Sequence, residues 1–205
     1  AWMLAEAYPH LFAGVCAISG RPVANTLGNL SNLAVLSICE SQEAGLGYYE
    51  SFLQPRNILH GSNPTYIGFS LPEDHVDVFK FLLSGFAIRH LLRYTRCQYP
   101  RKIRYISEKD RHHRAYYLDI LRVDRHAGQV RIVSEINDAG DSMQIFTEGI
   151  QKFHLTLPPY LESTLELTLN GQTTSLVLDD ATALLVDLEQ ETPVSVIALR
   201  MDSVY

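Results

Sequence analysis

The chain has 205 residues, 46% of them hydrophobic and 20% charged, with a formal net charge of -6. That composition belongs to a globular protein able to bury a core, in one domain or two modest ones, and the acidic balance argues against a polyanion-binding surface, so no nucleic acid partner is expected. No apolar run approaches the roughly 20 residues that cross a bilayer, and Cys16, Cys39 and Cys97 are too few and too widely spaced for a disulfide framework or a paired-cysteine metal site.

The first twenty residues read as a short helix closed at Tyr8-Pro9, a turn through His10, and an apolar strand over 12–18 that ends before Gly20. Proline cannot continue a helix and pushes the residue before it out of the α region, so residues 1–7 read as the tail of a longer helix. The chain is therefore expected to start inside a domain. A polar, turn-rich link follows, then a second apolar run over 33–38, and two such runs joined by loop and helix fit neighbouring parallel strands buried on both faces. Residues 39–66, rich in Gly, Pro, Asn, Ser and Tyr, read as a loop region at the carboxyl edge of that sheet. From Pro72 the pattern becomes helical, with Glu73 and Asp74 suited to a helix N-terminus and Val76, Phe79, Leu82, Leu83 and Phe86 at helical spacing; the helix is expected to break at Gly85 and run on to about Tyr94.

Beyond Arg101 the period switches from helical to alternating. Strands are expected over 102–107, 115–123, 130–136, 143–147, 152–157, 165–169, 174–178, 183–188 and 194–199, and Asn170-Gly171 marks a type I′ hairpin. Short strands at this spacing predict an antiparallel β-sandwich. The fold class is thus α/β followed by all-β, with one domain over 1–100 and a second over 101–205.

Tyr8, Pro9, Leu11, Phe12, Val15, Ser19 and Gly20 carry a resemblance to a known family. The pattern Y-P-x-L-F-x-x-V, followed by a strand ending Ser-Gly, resembles the α/β-hydrolases, within them the prolyl-oligopeptidase-like serine hydrolases (the peptidase S9-like branch). There it lies just downstream of the nucleophile elbow G-x-S-x-G. Asp110-Arg111-His112-His113-Arg114-Ala115-Tyr116-Tyr117 is similar to the segment that follows the hydrolase domain in members with a C-terminal β-sandwich. The resemblance implies that this chain is the C-terminal part of such an enzyme and that the nucleophile lies upstream. Any signal peptide would lie upstream as well, which leaves a secreted or periplasmic location open, and oligomeric state is not indicated.

In this family the triad runs Ser, acid, His along the chain, so the acid and the base are expected here. The acid follows the strand over 33–38, where Glu43 takes the position, and the family's His-Gly is replaced by Cys39-Glu40. A solvated loop carboxylate is the plain alternative for Glu43. For the base, His60 stands before Gly61 in a loop and is preferred; His75, at the start of the helix, is the alternative, and neither being catalytic also stays open. The implied chemistry is hydrolysis of a small-molecule ester or peptide through an acyl-enzyme, with no cofactor. The chain alone is expected to be inactive. The competing reading is a hydrolase-like scaffold without catalysis, whose β-sandwich binds carbohydrate, peptide or protein. Asp110, His112, His113, Asp124 and His126 lack the spacing of a metal site and read as charged turns, and Tyr116, Tyr117, Phe146 and Phe153 read as strand packing residues more than as a sugar-binding face.

Overall fold

The computed structural model describes residues 1–18, 20–40, 48–71, 75–107, 114–124, 126–188 and 195–199, with the backbone alone for 75–78 and 195. The protein is mixed α/β and strand-rich, with several sheets. Its internal contacts divide it into two units, Ala1–Cys97 and Gln98–Tyr205.

The first unit is built on three parallel strands, β1 (Gly14–Ile18), β2 (Ala34–Glu40) and β3 (Ile67–Leu71), in that spatial order. β2 lies in the middle and is buried along its whole length, which is why its sequence is a near-continuous apolar run. Its two faces meet different partners. Val35 packs with Trp2, Leu27, Leu30, Leu33 and Leu59, whereas Leu36 and Ile38 pack with Ala87 and the half-buried Phe69, Phe81 and Phe86.

Helix α1 (Trp2–Ala7) ends at Tyr8-Pro9 as the sequence predicts. It is held to the following link by buried polar contacts. The Trp2 indole donates to the Gly20 carbonyl at 2.8 Å, Thr26 Oγ1 donates to the Glu6 carboxylate at 2.6 Å, and the Val23 N–H approaches the same carboxylate at 3.3 Å. Asn29 Nδ2 donates to the Glu6 carbonyl at 2.8 Å. The link is therefore an ordered 3-10 segment, Ala24–Asn32, whose amino end faces a carboxylate.

The expected loop over 39–66 contains regular structure instead. A π-helical turn, Tyr49–Leu53, runs into α2 (Gln54–Leu59), with Phe52, Pro55 and Leu59 buried on one side at spacings of three and four. Strand β3 was not expected at all. Its five residues are all half-buried, so they show no alternation, and Gly68 interrupts the run. That glycine is required, because a Cβ there would lie 2.8 Å from the Tyr66 hydroxyl and 3.0 Å from the Phe52 ring. The long helix divides at Gly85 (φ 70°) into α3 (His75–Leu83) and α4 (Phe86–Leu91).

The second unit contains two five-stranded sheets. One has the order β11 (Gln172–Val177), β10 (Thr164–Leu169), β8 (Ser142–Glu148), β7 (Val130–Ile136), β4 (Lys102–Ser107). The other has the order β13 (Ser195–Leu199), β12 (Ala183–Asp187), β9 (Ile150–Thr156), β6 (Leu118–Val123), β5 (Arg114–Ala115). Ile103, Ile132, Met143 and Leu167 from the first and Leu118, Phe153, Leu155 and Val186 from the second belong to one core cluster. Inward residues alternate with exposed ones along β7 and β8, the pattern that made these strands legible.

The pairing is antiparallel with one exception: β10 lies parallel to β8. The chain leaves the first sheet at Gly149, runs as β9 in the other sheet, and returns beside β8 after a second reversal. Gly149 has φ 67°, and a Cβ there would lie 2.6 Å from the Gln129 carbonyl oxygen, so the crossing needs glycine. Asn170 and Gly171 both have positive φ, 48° and 85°, as the hairpin requires.

Candidate functional site

In an open parallel sheet, ligands bind beyond the carboxyl ends of the strands. Here those ends are Ile18, Glu40 and Leu71. The chain passes from them into residues 19–20, 41–47 and 72–75. Ser19 and Glu43 lie outside the described residues. His75 is the first residue of α3, four positions beyond the end of β3.

Glu40 is a carboxylate at this edge that the sequence reading passed over. It is 8% exposed and stands directly opposite Leu71 in the β2–β3 register. Its signal is its place at the end of a continuous apolar run, on a strand buried along its whole length. Cys39 beside it is fully buried and donates its thiol to the Glu40 carbonyl at 3.5 Å. Tyr48 donates from its hydroxyl to Ser70 Oγ at 3.3 Å, joining the π-helical turn to the last turn of β3.

His60, the preferred base, is placed elsewhere. It caps the carboxyl end of α2, exposed to solvent, with its N–H donating to the Arg56 carbonyl. The turn after it is pinned to the amino end of β2: Asn63 Nδ2 donates to the Leu30 and Leu33 carbonyls at 2.8 Å, and Thr65 Oγ1 donates to the Leu33 carbonyl at 2.9 Å. His60 thus precedes β3, at the amino edge, and a five-residue strand separates it from the other edge by about 16 Å. No imidazole spans that distance. The structure thus sets His60 before β3 and His75 after it, at the start of α3.

Tyr66, at the entry to β3, has a buried hydroxyl beside Ser37. Burial pushes its pKa up to about 12, with the Ser37 hydroxyl and the Arg56 charge offsetting part of the rise. It is neutral at ordinary pH. Burial likewise raises the Cys16 thiol pKa, which suits a packing residue and not a nucleophile.

The other residues singled out by sequence separate in the same way. Tyr116, Tyr117 and Phe153 are core residues; Phe146 is half exposed and carries the Arg131 guanidinium over its ring at 5.6 Å. They form no common exposed face. Asp124 accepts from the His126 N–H at 2.9 Å in a turn, whereas Asp110, His112 and His113 lie outside the described residues. Among the described residues no three His, Cys, Asp or Glu side chains are grouped to hold a metal ion, and no helix is long and apolar enough to cross a membrane.

No protein family, curated protein or solved structure matches this chain.

Proposed function

We propose that this chain carries the acid and the base of a serine hydrolase of prolyl-oligopeptidase-like type, the C-terminal portion of an α/β-hydrolase sheet joined to a β-sandwich. The observation that supports the reading is the parallel sheet: β2 and β3 are neighbours, β2 ends at Glu40, three positions before Glu43 in sequence, and His75 opens α3 four positions after β3. The nucleophile belongs to residues outside these 205, since no G-x-S-x-G occurs among them. Further strands beside β1 suit this account. Among the described residues β1 is an edge of a three-stranded sheet, and Met3, Leu4 and Leu11 near it are more than half exposed.

In the proposed reaction the serine oxygen attacks an ester or amide carbonyl while His75 takes its proton. His75 then returns that proton to the leaving group as the bond to it breaks, and water, deprotonated by the same imidazole, releases the acid. The carboxylate beyond β2, Glu43 with Glu40 as the second candidate, holds the imidazole tautomer. The isolated chain is expected to give no turnover of a p-nitrophenyl ester. Turnover abolished by one substitution within it would overturn the proposal.

A second reading, a hydrolase-like scaffold without catalysis, is favoured by Cys39 and Leu59, which are fully buried packing residues where the resemblance expects a His-Gly and a glycine. A coding sequence with G-x-S-x-G shortly upstream of Ala1 favours the enzyme, and one without it favours the scaffold.

A further inference from the structure

The second unit has an edge that the hydrolase reading does not use. β11 pairs with β10 over six residues in continuous register, from Leu169↔Gln172 to Thr164↔Val177. Its other edge is unpaired among the described residues. Edge strands are commonly protected by lysine, proline or a bulge. The strand here, QTTSLV, has none of these, and Val177 on it is 65% exposed.

Beside this edge lies a cleft of about 330 Å³. Leu167, Leu169, Leu176 and Val196 give it an apolar floor, and Gln172 and Thr174 give it a polar wall. The register explains the arrangement. Gln172 and Thr174 stand opposite the buried Leu169 and Leu167, so on this side β11 is polar and open at two positions where β10 is apolar and closed, and only Leu176 continues the core.

The surroundings have one sign of charge. No Lys or Arg lies on β10, on β11 or in the turn after it, whereas Glu166 lies on β10 and Asp179 follows β11. Glu166 stands opposite Ser175 of β11, and Asp179 follows the strand in an exposed turn; neither meets a cation among the described residues.

We propose that this edge docks a basic, extended peptide segment, which adds to β11 as a further strand and lodges an apolar side chain in the cleft. The unpaired ladder supplies backbone hydrogen bonds, the leucine floor takes alternate side chains, and Glu166 and Asp179 select positive flanks. This inference does not rest on the hydrolase proposal.

The test uses the intact 205-residue chain and fluorescein-labelled peptides read by anisotropy. The peptide Lys-Thr-Leu-Thr-Leu-Thr-Lys is expected to bind. Replacing both lysines with glutamate, or the central threonine with proline, is expected to weaken it at least about tenfold. Thr174→Arg, which fills the cleft and puts a positive charge in it, is expected to abolish binding with the melting temperature unchanged. The pair Glu166→Gln and Asp179→Asn is expected to reduce both affinity and its dependence on salt. The proposal is overturned by absence of binding at about millimolar peptide, by equal affinity for the lysine and glutamate peptides, or by binding that survives Thr174→Arg. A dimer in sedimentation velocity that Thr174→Arg dissociates also overturns it, because a second copy then owns the edge.

Discussion

Glu6 shows how one buried side chain orders a stretch that the sequence presents as a polar link. It is 3% exposed and accepts from Thr26 Oγ1 and the Val23 N–H, so the 3-10 segment has a fixed amino end. Glu6→Ala leaves both donors without this acceptor and is expected to cost about 2–3 kcal/mol, read as a lowered urea midpoint. Glu6→Gln keeps an acceptor and should cost less, and equal midpoints for Glu6→Ala and the parent would contradict the clamp. Tyr66 makes a prediction in pH. An unfolded tyrosine ionises near 10, whereas the folded Tyr66 does so at about 12. The folded chain therefore holds this proton more tightly. Its contribution to stability is complete below pH 10 and is lost as pH rises from 10 through 12. The parent should lose urea resistance over that window faster than Tyr66→Phe, and parallel curves for the two would count against the burial of the hydroxyl.

Among elements, the strands of the second unit were legible and β3 was not, for one physical reason. β7 and β8 each bury one face, so their sequences alternate, and the hairpin at Asn170-Gly171 announces itself through residues that tolerate positive φ. β3 is a half-buried strand of five residues with glycine in the middle, and neither period marks it. Without β3, the turn at His60 looks like the exit from the sheet; with it, His60 stands before the third strand and His75 after it. The parallel β8–β10 pair was illegible for a different reason: which sheet a strand joins is decided by the Gly149 crossing, and not by the strand's own pattern. Asn170 does more than turn the hairpin. Its Oδ1 accepts from the Thr147 N–H at 2.8 Å, and its Nδ2 donates to Thr147 Oγ1 at 2.9 Å, tying the hairpin to β8. Asn170→Ala is expected to cost about 2–3 kcal/mol, combining these bonds with a positive φ that alanine resists. Asn170→Gly, which keeps the turn and loses only the bonds, should recover about 1 kcal/mol of it in chemical denaturation; identical losses for the two variants would assign the whole effect to the hydrogen bonds.

At the scale of the molecule, composition and period set out an α/β part followed by strands, and in the proposed hydrolase the reacting groups lie beyond the carboxyl ends of the parallel sheet. The expected acid, Glu43, follows the second strand but lies outside the described residues, and nothing in the sequence marked the third strand that separates His60 from His75. The proposed hydrolase turns on His75, and not His60, serving as its base. It is tested most directly by fluorophosphonate labelling of the complete polypeptide encoded with this chain, comparing the parent with His75→Ala and His60→Ala. The account predicts a labelled parent, labelling by His75→Ala slowed at least about a thousandfold, and His60→Ala labelled at the parent rate. An unlabelled parent, or labelling lost with His60→Ala and kept with His75→Ala, would contradict it.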